Sequence, residues 1–386
     1  MKLRQALSLM CALALTLCTP ALAQEESSPA LLRQQVDAPA GTVAYPQLTG
    51  LQDAVIQQQA NAAILEAGQV ETRIARLQSL AADSVGLVQS YEALLAGDVL
   101  SVAFSAQGAL KDSAFSHAYA TVNLDLTTGQ PITLADLFTD AATAQQAIAD
   151  AIEMQVAPEL SAHLEVSSLL PLPDQFALSP VGLTFYYDAA RFTTLGGKAG
   201  KLTLLYTELR EHLKLGEGTV LTRLGAETML ELNSDSAALI RDAVAQGQLP
   251  GIPARVGESL SELIARYDLM IDPDYFPGGR FFQLEDGAFR GSFLLTDALT
   301  EGWEHSIVQG LRSDRANFYG LCTGITTQDA WRQTLGEPDA SVALSEDDAY
   351  SYYLATGTSD YYNIGEFQLR LHADEQGVLR SIFITQ

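Results

Sequence analysis

The sequence predicts an α+β protein: an antiparallel sheet with packed helices, followed by tandem helix-plus-β-hairpin modules. Three observations carry this. Apolar residues recur at helical spacing around 51–65 and 148–156, and they alternate at strand spacing around 99–105 and 117–126. The strands come in hairpin-like pairs divided by turn residues, which argues against a parallel, doubly wound sheet. The last third holds two similar helix starts, each leading into aromatic strands. At 386 residues the chain exceeds what one hydrophobic core usually serves, so two or three domains are expected.

Lys2 and Arg4 open a basic start, an apolar run spans 6–17, and Ala21-Leu22-Ala23 has the small-x-small form of a cleavage site. Residues 1–23 read as a signal peptide cut after Ala23. The run is too short to span a membrane, which takes about 20 residues. Lipidation at Cys18 is an alternative, although the large Leu17 precedes it where a small residue is wanted. Cleavage removes Cys11 and Cys18 and leaves Cys322, which cannot form an intrachain bridge and reads as a buried, inert thiol. A secreted, extracytoplasmic chain with no membrane span is expected.

Residues 24–42 mix Pro, Ser, Glu and Gln with little periodicity and read as a flexible tether. A first domain is expected over 43–218. Thr49 is a candidate N-cap for a helix with Leu51, Val55, Ala62 and Leu65 on one face, and a second helix follows over 70–80. Leu100, Val102 and Phe104 share one face of a strand; Ala118, Ala120, Val122, Leu124 and Leu126 share one face of the next. Thr128-Gly129 supplies a turn, Pro131 an edge, and Thr133 a cap. Ile148, Ile152 and Val156 mark a helix. Leu183, Phe185 and Tyr187, then Leu202 and Leu204, mark strands, and Thr207 caps a helix ending at Gly216.

Residues 219–250 form a connecting segment with a Pro/Gly-rich end. Over 251–386 two modules are expected. Gly257, Ser259 and Glu262 match Gly324, Thr326 and Asp329, a Ser/Thr-x-x-acid spacing in which each side chain satisfies the other's amide at a helix start. Glu285-Asp286-Gly287 and Glu375-Gln376-Gly377 read as hairpin turns.

Lys and Arg number 22 against 47 Asp and Glu, a formal charge of −25. That argues against nucleic acid, whose phosphates need clustered cations, and fits either a cationic partner or simple solubility. The motifs of metalloproteases, nucleophile-elbow hydrolases, phosphate loops and dinucleotide folds are missing, and the five histidines are scattered. Asp272 and Asp274 begin like a calcium loop, but Phe276 stands where an oxygen ligand belongs. No cofactor, metal or catalytic residue is nominated. In "SEDDAYSYY" Asp347, Asp348, Tyr350 and Tyr352 read either as a solvated loop or as a binding rim, since tyrosines beside carboxylates suit cationic or sugar ligands. Phe281 and Phe293 are further aromatics that a sheet face can present.

"TVNLDLTTGQPITLADLF", Tyr45-Pro46 before a helix with Asn61, "FALSPVGLTFYYD" and "YTELREHLK" occur in that order over 43–218. In this the chain resembles the extracytoplasmic domain of the RsiV-type anti-sigma factors (DUF4163 and DUF3298), also found ahead of a peptidoglycan deacetylase domain. The resemblance implies an α+β sensing or wall-binding module, used by the anti-sigma members to bind lysozyme. This chain lacks their sigma-binding and transmembrane segments, so the module carries over and the switch does not. "GITTQDAWRQTLGEPD" and the last strand pair are similar to the modules of the outer-membrane lipoprotein BamE and of β-lactamase inhibitor proteins, which bind proteins. The expected function is a secreted, non-enzymatic envelope-binding protein for a cationic, lysozyme-like protein or peptidoglycan. A wall-active hydrolase or esterase using acidic residues, and a structural adaptor, are the alternatives.

Overall fold

The computed structural model describes residues 28–82, 84–111, 115–155, 172, 174–187, 201–266, 274–276, 279–283, 292–297, 302 and 305–386. The expected signal peptide, Cys18, His163, Asp272 and the turn expected at 285–287 lie outside these residues. The architecture is α+β, as expected.

The chain opens with a hairpin, β1 (Ala30–Ala38) against β2 (Gly41–Thr49), so the tether expected over 24–42 is a paired strand from Ala30 onward. Its polar side chains belong to an edge strand that pairs with β2 along its whole length while most of its side chains meet water. Composition reported solvent exposure, not disorder. Helices α1 (Ala54–Ala67) and α2 (Val70–Ser79) then cross over, so that β2 pairs in parallel with β3 (Leu87–Ala96) over Gly41–Val43. Gly41 is obligatory there: at φ +139° a Cβ would stand 1.9 Å from the Leu87 carbonyl oxygen. Asp53, not Thr49, caps α1, its Oδ1 accepting from the amides of Val55 and Ile56 at 2.8 and 3.1 Å. Thr49 is still in the strand.

β4 (Val99–Gly108), β5 (Ser116–Asp125) and the short edge β6 (Gln130–Pro131) complete a six-stranded sheet, with Pro131 on the edge as expected. Leu48, Ile64, Leu100, Val102, Phe104 and Leu124 are buried between this sheet and α1. The other face of the sheet meets α3 (Leu134–Leu137), α4 (Ala141–Gln155) and a three-stranded sheet of β7 (Phe176–Leu178), β8 (Gly182–Tyr186) and β9 (Lys201–Leu205). Asn123 pins the two sheets together. It donates to Phe176 O at 2.7 Å and accepts from Ser101 Oγ, which in turn accepts from the Leu178 amide at 2.9 Å. Thr133 caps α3, with Asp136 accepting from its amide at 2.8 Å. Thr207 does not act as a cap: Tyr206–His212 is a 3₁₀ turn held by Glu208 on the Leu205 amide, and Thr207 Oγ1 donates to Asn317.

The connecting segment divides. α5 (Val220–Arg223) and α6 (Ala226–Leu230) bury Leu221 and Leu230 in the core of the first half, while α7 (Ser236–Ala245) buries Ile240 and Val244 in the second. α8 (Leu260–Arg266) precedes β10 (Asp274–Phe276), β11 (Gly279–Gln283), β12 (Ser292–Thr296) and β13 (Gly310–Ser313). After the small pair β14 (Asn317–Phe318) and β15 (Leu321–Cys322), α9 (Gln328–Leu335) precedes β16 (Ala340–Leu344), α10 (Glu346–Ser351), β17 (Gly357–Ile364), β18 (Phe367–Asp374) and β19 (Leu379–Thr385).

The expected duplication is there, but as one sheet. Each copy is a helix and a four-strand meander, and the two join antiparallel through β13 and β19 into an eight-stranded sheet. Matching bridges, Ser259 to Ile307 and Thr327 to Val378, tie each helix start to the segment leading into its own last strand. Ser259 therefore corresponds to Thr327, one residue beyond the expected partner Thr326. Thr326 is buried and makes no helix cap: its Oγ1 accepts from the Cys322 amide and donates to Gly320 O, both at 2.8 Å. Helices α7, α8 and α9 cover one face of the sheet over Phe282, Leu294, Leu311, Ile384 and Leu369. The halves are clamped by Arg315, which donates to both Glu208 carboxylate oxygens (2.7 and 2.9 Å) and to Thr203 O (2.7 Å).

Candidate binding site

The face of the eight-stranded sheet away from those helices carries the site. Strand alternation sends every second residue there, and the register lines up one row across five strands: Phe293, Arg312, Phe383, Arg370 and Tyr361. The pseudo-twofold axis relating the copies passes between the paired Arg312 and Phe383, so aromatic and cationic positions exchange across it. Each guanidinium lies over rings. Arg312 stands 5.1 Å from the Phe293 ring centre and 5.3 Å from that of Phe383; Arg370 stands 4.7 Å from Phe383, 5.6 Å from Tyr361 and 5.2 Å from Tyr352.

The two arginines differ in their partners. Arg312 is neutralised by Asp314, with Nε and Nη2 at 2.7 Å from its two oxygens, and it also holds the turn after α10 through Tyr352 O (2.7 Å) and Tyr353 O (3.0 Å). Arg370 has no carboxylate among the described residues. Its Nε donates to Ser359 Oγ at 3.0 Å, while Nη2 is buried without an acceptor. Burial pulls this guanidinium below its ordinary pKa. Ser359 is fixed in turn: it donates to His372 Nδ1 at 3.0 Å, and His372 Nε2–H donates to Ala355 O at 2.9 Å, an arrangement that needs neutral imidazole. Burial holds His372 below its ordinary pKa, consistent with that tautomer.

Beside Arg370 lies a cavity of about 150 Å³, lined by Phe281, Tyr352, Tyr361, Phe383 and Leu295, by Gln368 and Thr385, and by Arg312 with its charge met by Asp314. Phe281 packs edge-on against Phe293 and Tyr353, with ring centres 5.6 and 5.5 Å apart. The arrangement offers aromatic faces, a cation and an amide to a ligand.

Of the residues nominated from sequence, Tyr352 and Phe281 form part of this wall, and Phe293 of the same face packs behind Phe281. Tyr350 does not reach it; it is 81% exposed. Asp347 and Asp348 are exposed in the first turn of α10, so the expected loop is a capped helix, with Ser345 Oγ accepting from the Asp348 amide at 3.1 Å. The rim thus splits: Tyr352 turns in, and the other three turn out. Arg312, Arg370, Tyr361 and Phe383 were missed. Their signal was alternation in "FQLRLHAD" and "GLRS", where arginine shares a strand with leucines of the opposite face.

Elsewhere, His117 meets Ser105 Oγ at 2.9 Å, and burial with Lys201 nearby lowers its pKa. Cys322 is buried, and burial pushes its thiol up to about 12, leaving it unreactive. Among the described residues no group of three or more His, Cys, Asp or Glu is placed to hold a metal, and no helix is long and apolar enough to cross a membrane.

No protein-family profile matches the chain, and no curated protein sequence matches it. Among solved structures it is similar to a DUF3298 family member from Bacteroides fragilis, at 14% identity and a TM-score of 0.36 over 51% of this chain and 96% of that one. A DUF3298 family protein from Pseudomonas aeruginosa follows at 14% identity and 0.34, over 48% and 94%. YjgB, a DUF4309 family protein from Bacillus subtilis, shows 11% identity and 0.28, over 39% and 96%.

Proposed function

We propose a non-catalytic binding protein of the bacterial cell envelope, acting outside the cytoplasm and taking its ligand on the outer face of the C-terminal sheet. The observation that carries this is the row of alternating aromatics and arginines from Phe293 to Tyr361, in which the charge of Arg370 meets no carboxylate among the described residues. The groups gathered there are recognition groups. Aromatic faces stack on sugar rings or apolar groups, and guanidinium grips carboxylate. Peptidoglycan supplies both, as sugars and as the carboxylates of its stem peptides, and it is the ligand we favour.

A cationic, lysozyme-like partner is the second reading. The net charge of −25 and the outward Asp347, Asp348 and Tyr350 favour it, since a negative field speeds the approach of a basic protein. Cosedimentation with purified peptidoglycan sacculi, beside titration with a basic lysozyme at low salt, separates the two. Binding to neither refutes the proposal, and so does release of soluble fragments from sacculi by the pure protein.

A further inference from the structure

Arg370 is the arginine of the aromatic row without an acidic partner among the described residues, and everything around it limits what such a partner can be. Its Nε is spent on Ser359, and Ser359 and His372 are themselves satisfied, so this side of the guanidinium is fixed. Nη2 has no acceptor among the described residues. An unmet, buried donor on a charged group is costly, and an anion is the chemical answer to it. The surrounding walls are rings, and the charge lies among them in a protein whose overall field repels anions. A site recruiting diffuse anions would instead present its cations openly in a positive field.

The space sets the size. The cavity, of about 150 Å³ and partly open to solvent, takes one ring or one small residue against Arg370 and leaves the rest of any longer ligand outside. We infer that the pocket between Phe281, Tyr352, Tyr361 and Phe383 is a binding site for the carboxylate of a single end group, with Arg370 as its anchor and the rings packing on the apolar part. The source is either a small free acid or the C-terminal residue of a peptide. The inference rests on the envelope-binding reading only in the choice of face.

The experiment is a calorimetric and NMR titration of the full mature chain with four probes: benzoate, benzamide, N-acetylalanine and N-acetylalanine amide. Benzoate or N-acetylalanine binds, and the matching neutral amide binds at least about tenfold more weakly, the worth of a hydrogen bond to a charged group. Benzoate alone identifies a free aromatic acid as the source, N-acetylalanine alone a chain terminus, and both support the carboxylate site. Arg370→Gln weakens the acid by about ten- to a hundredfold and leaves the amide unchanged, while Arg370→Lys, which keeps the charge and loses the fork, restores part of it. The comparison of acid with amide needs no variant, so it decides even if Arg370→Gln fails to fold. Acid and amide binding alike, no acid binding at tens of millimolar, or full binding by folded Arg370→Gln overturns the inference. Benzoate binding with neither sacculus nor lysozyme binding refutes the envelope reading alone; sacculus binding without acid binding refutes the pocket alone.

Discussion

Replacing Arg332 by Met tests how the far end of the site is held. Asp360 lies on β17 beside Tyr361 and points the opposite way, into the packing of α9, where it is fully buried. Its carboxylate accepts from Arg332 Nε (2.8 Å) and Nη2 (2.7 Å), Ser341 Oγ (2.8 Å), Trp331 Nε1 (3.0 Å) and Gln328 Nε2 (3.2 Å). Burial raises its pKa, but these hydrogen bonds, led by Arg332, outweigh burial and hold the carboxyl below the usual range. Arg332→Met removes two of five donors and the paired cation while leaving the anion buried. Breaking a buried pair from one side costs about 3–5 kcal/mol; because the Arg332 side chain is 30% exposed, the lower end, about 3 kcal/mol, is expected. Urea unfolding followed by tryptophan fluorescence, to which buried Trp331 contributes, and by circular dichroism measures it as a lowered midpoint at unchanged slope. Arg332→Met/Asp360→Asn removes the stranded charge and is more stable than the single variant. The sign with pH is fixed too. A depressed carboxylate pKa stabilises above its unfolded value, about 3.9, and this is lost as pH falls through the folded value, so the deficit of Arg332→Met shrinks in acid. A loss below about 1 kcal/mol, or a double variant less stable than the single one, refutes the reasoning.

His372 sets a second pH dependence. Its folded pKa is depressed by burial, so the unfolded chain takes up a proton first; stability is complete above about 6.5 and declines as pH falls below it, by at most about 1.4 kcal/mol per pH unit. His372→Gln flattens that part of a plot of urea midpoint against pH, with His117 supplying the remainder. Arg315→Met removes the forked contact to Glu208 and the bond to Thr203 O, and is expected to cost about 1–3 kcal/mol. Amide exchange should then quicken selectively over 201–209, where uniform quickening would show that the clamp is not local. Tyr350→Ala changes stability by less than about 0.5 kcal/mol, because the side chain stands in solvent, and leaves acid binding intact. Loss of acid binding in that variant would move the site to the outward rim.

The scaffold was legible wherever side-chain period and backbone agreed. "TVNLDLTTG" reads as strand and turn, and the structure shows why it is so well formed: Asn123 pins two sheets, and Asp125 holds Arg223 at 3.1 and 2.6 Å. Asp125 is drawn to about 2 because these bonds, with those of Thr127, outweigh burial. The polar residues of that motif hold architecture together. The opening strand was hidden because an edge strand with wet side chains has the composition of a linker. Thr49, Thr207 and Thr326 misled because a hydroxyl near a helix start can bond to its own backbone, to another strand or to a loop, and local spacing does not distinguish these. The site was half legible. Phe281, Phe293 and Tyr352 stood out as aromatics, but their convergence with Arg312 and Arg370 depends on the pairing of β13 with β19, sequence neighbours only through the duplication.

The sign of the salt effect follows from the placement of charge and divides the two functional readings. At a net charge of −25 the long-range field favours a basic protein and opposes an acid. That field is screened within about 8–10 Å at physiological ionic strength, whereas a contact inside an aromatic pocket is screened far less. Added salt therefore removes the attraction that a cationic partner depends on, and its affinity should fall between 50 and 300 mM sodium chloride by about tenfold or more. For a carboxylate seated on Arg370 the same salt removes a repulsion and only slightly weakens the contact, so affinity should stay level or rise. A carboxylate probe whose binding falls steeply with salt would mean that it is held by exposed cations elsewhere, and the pocket would lose its claim.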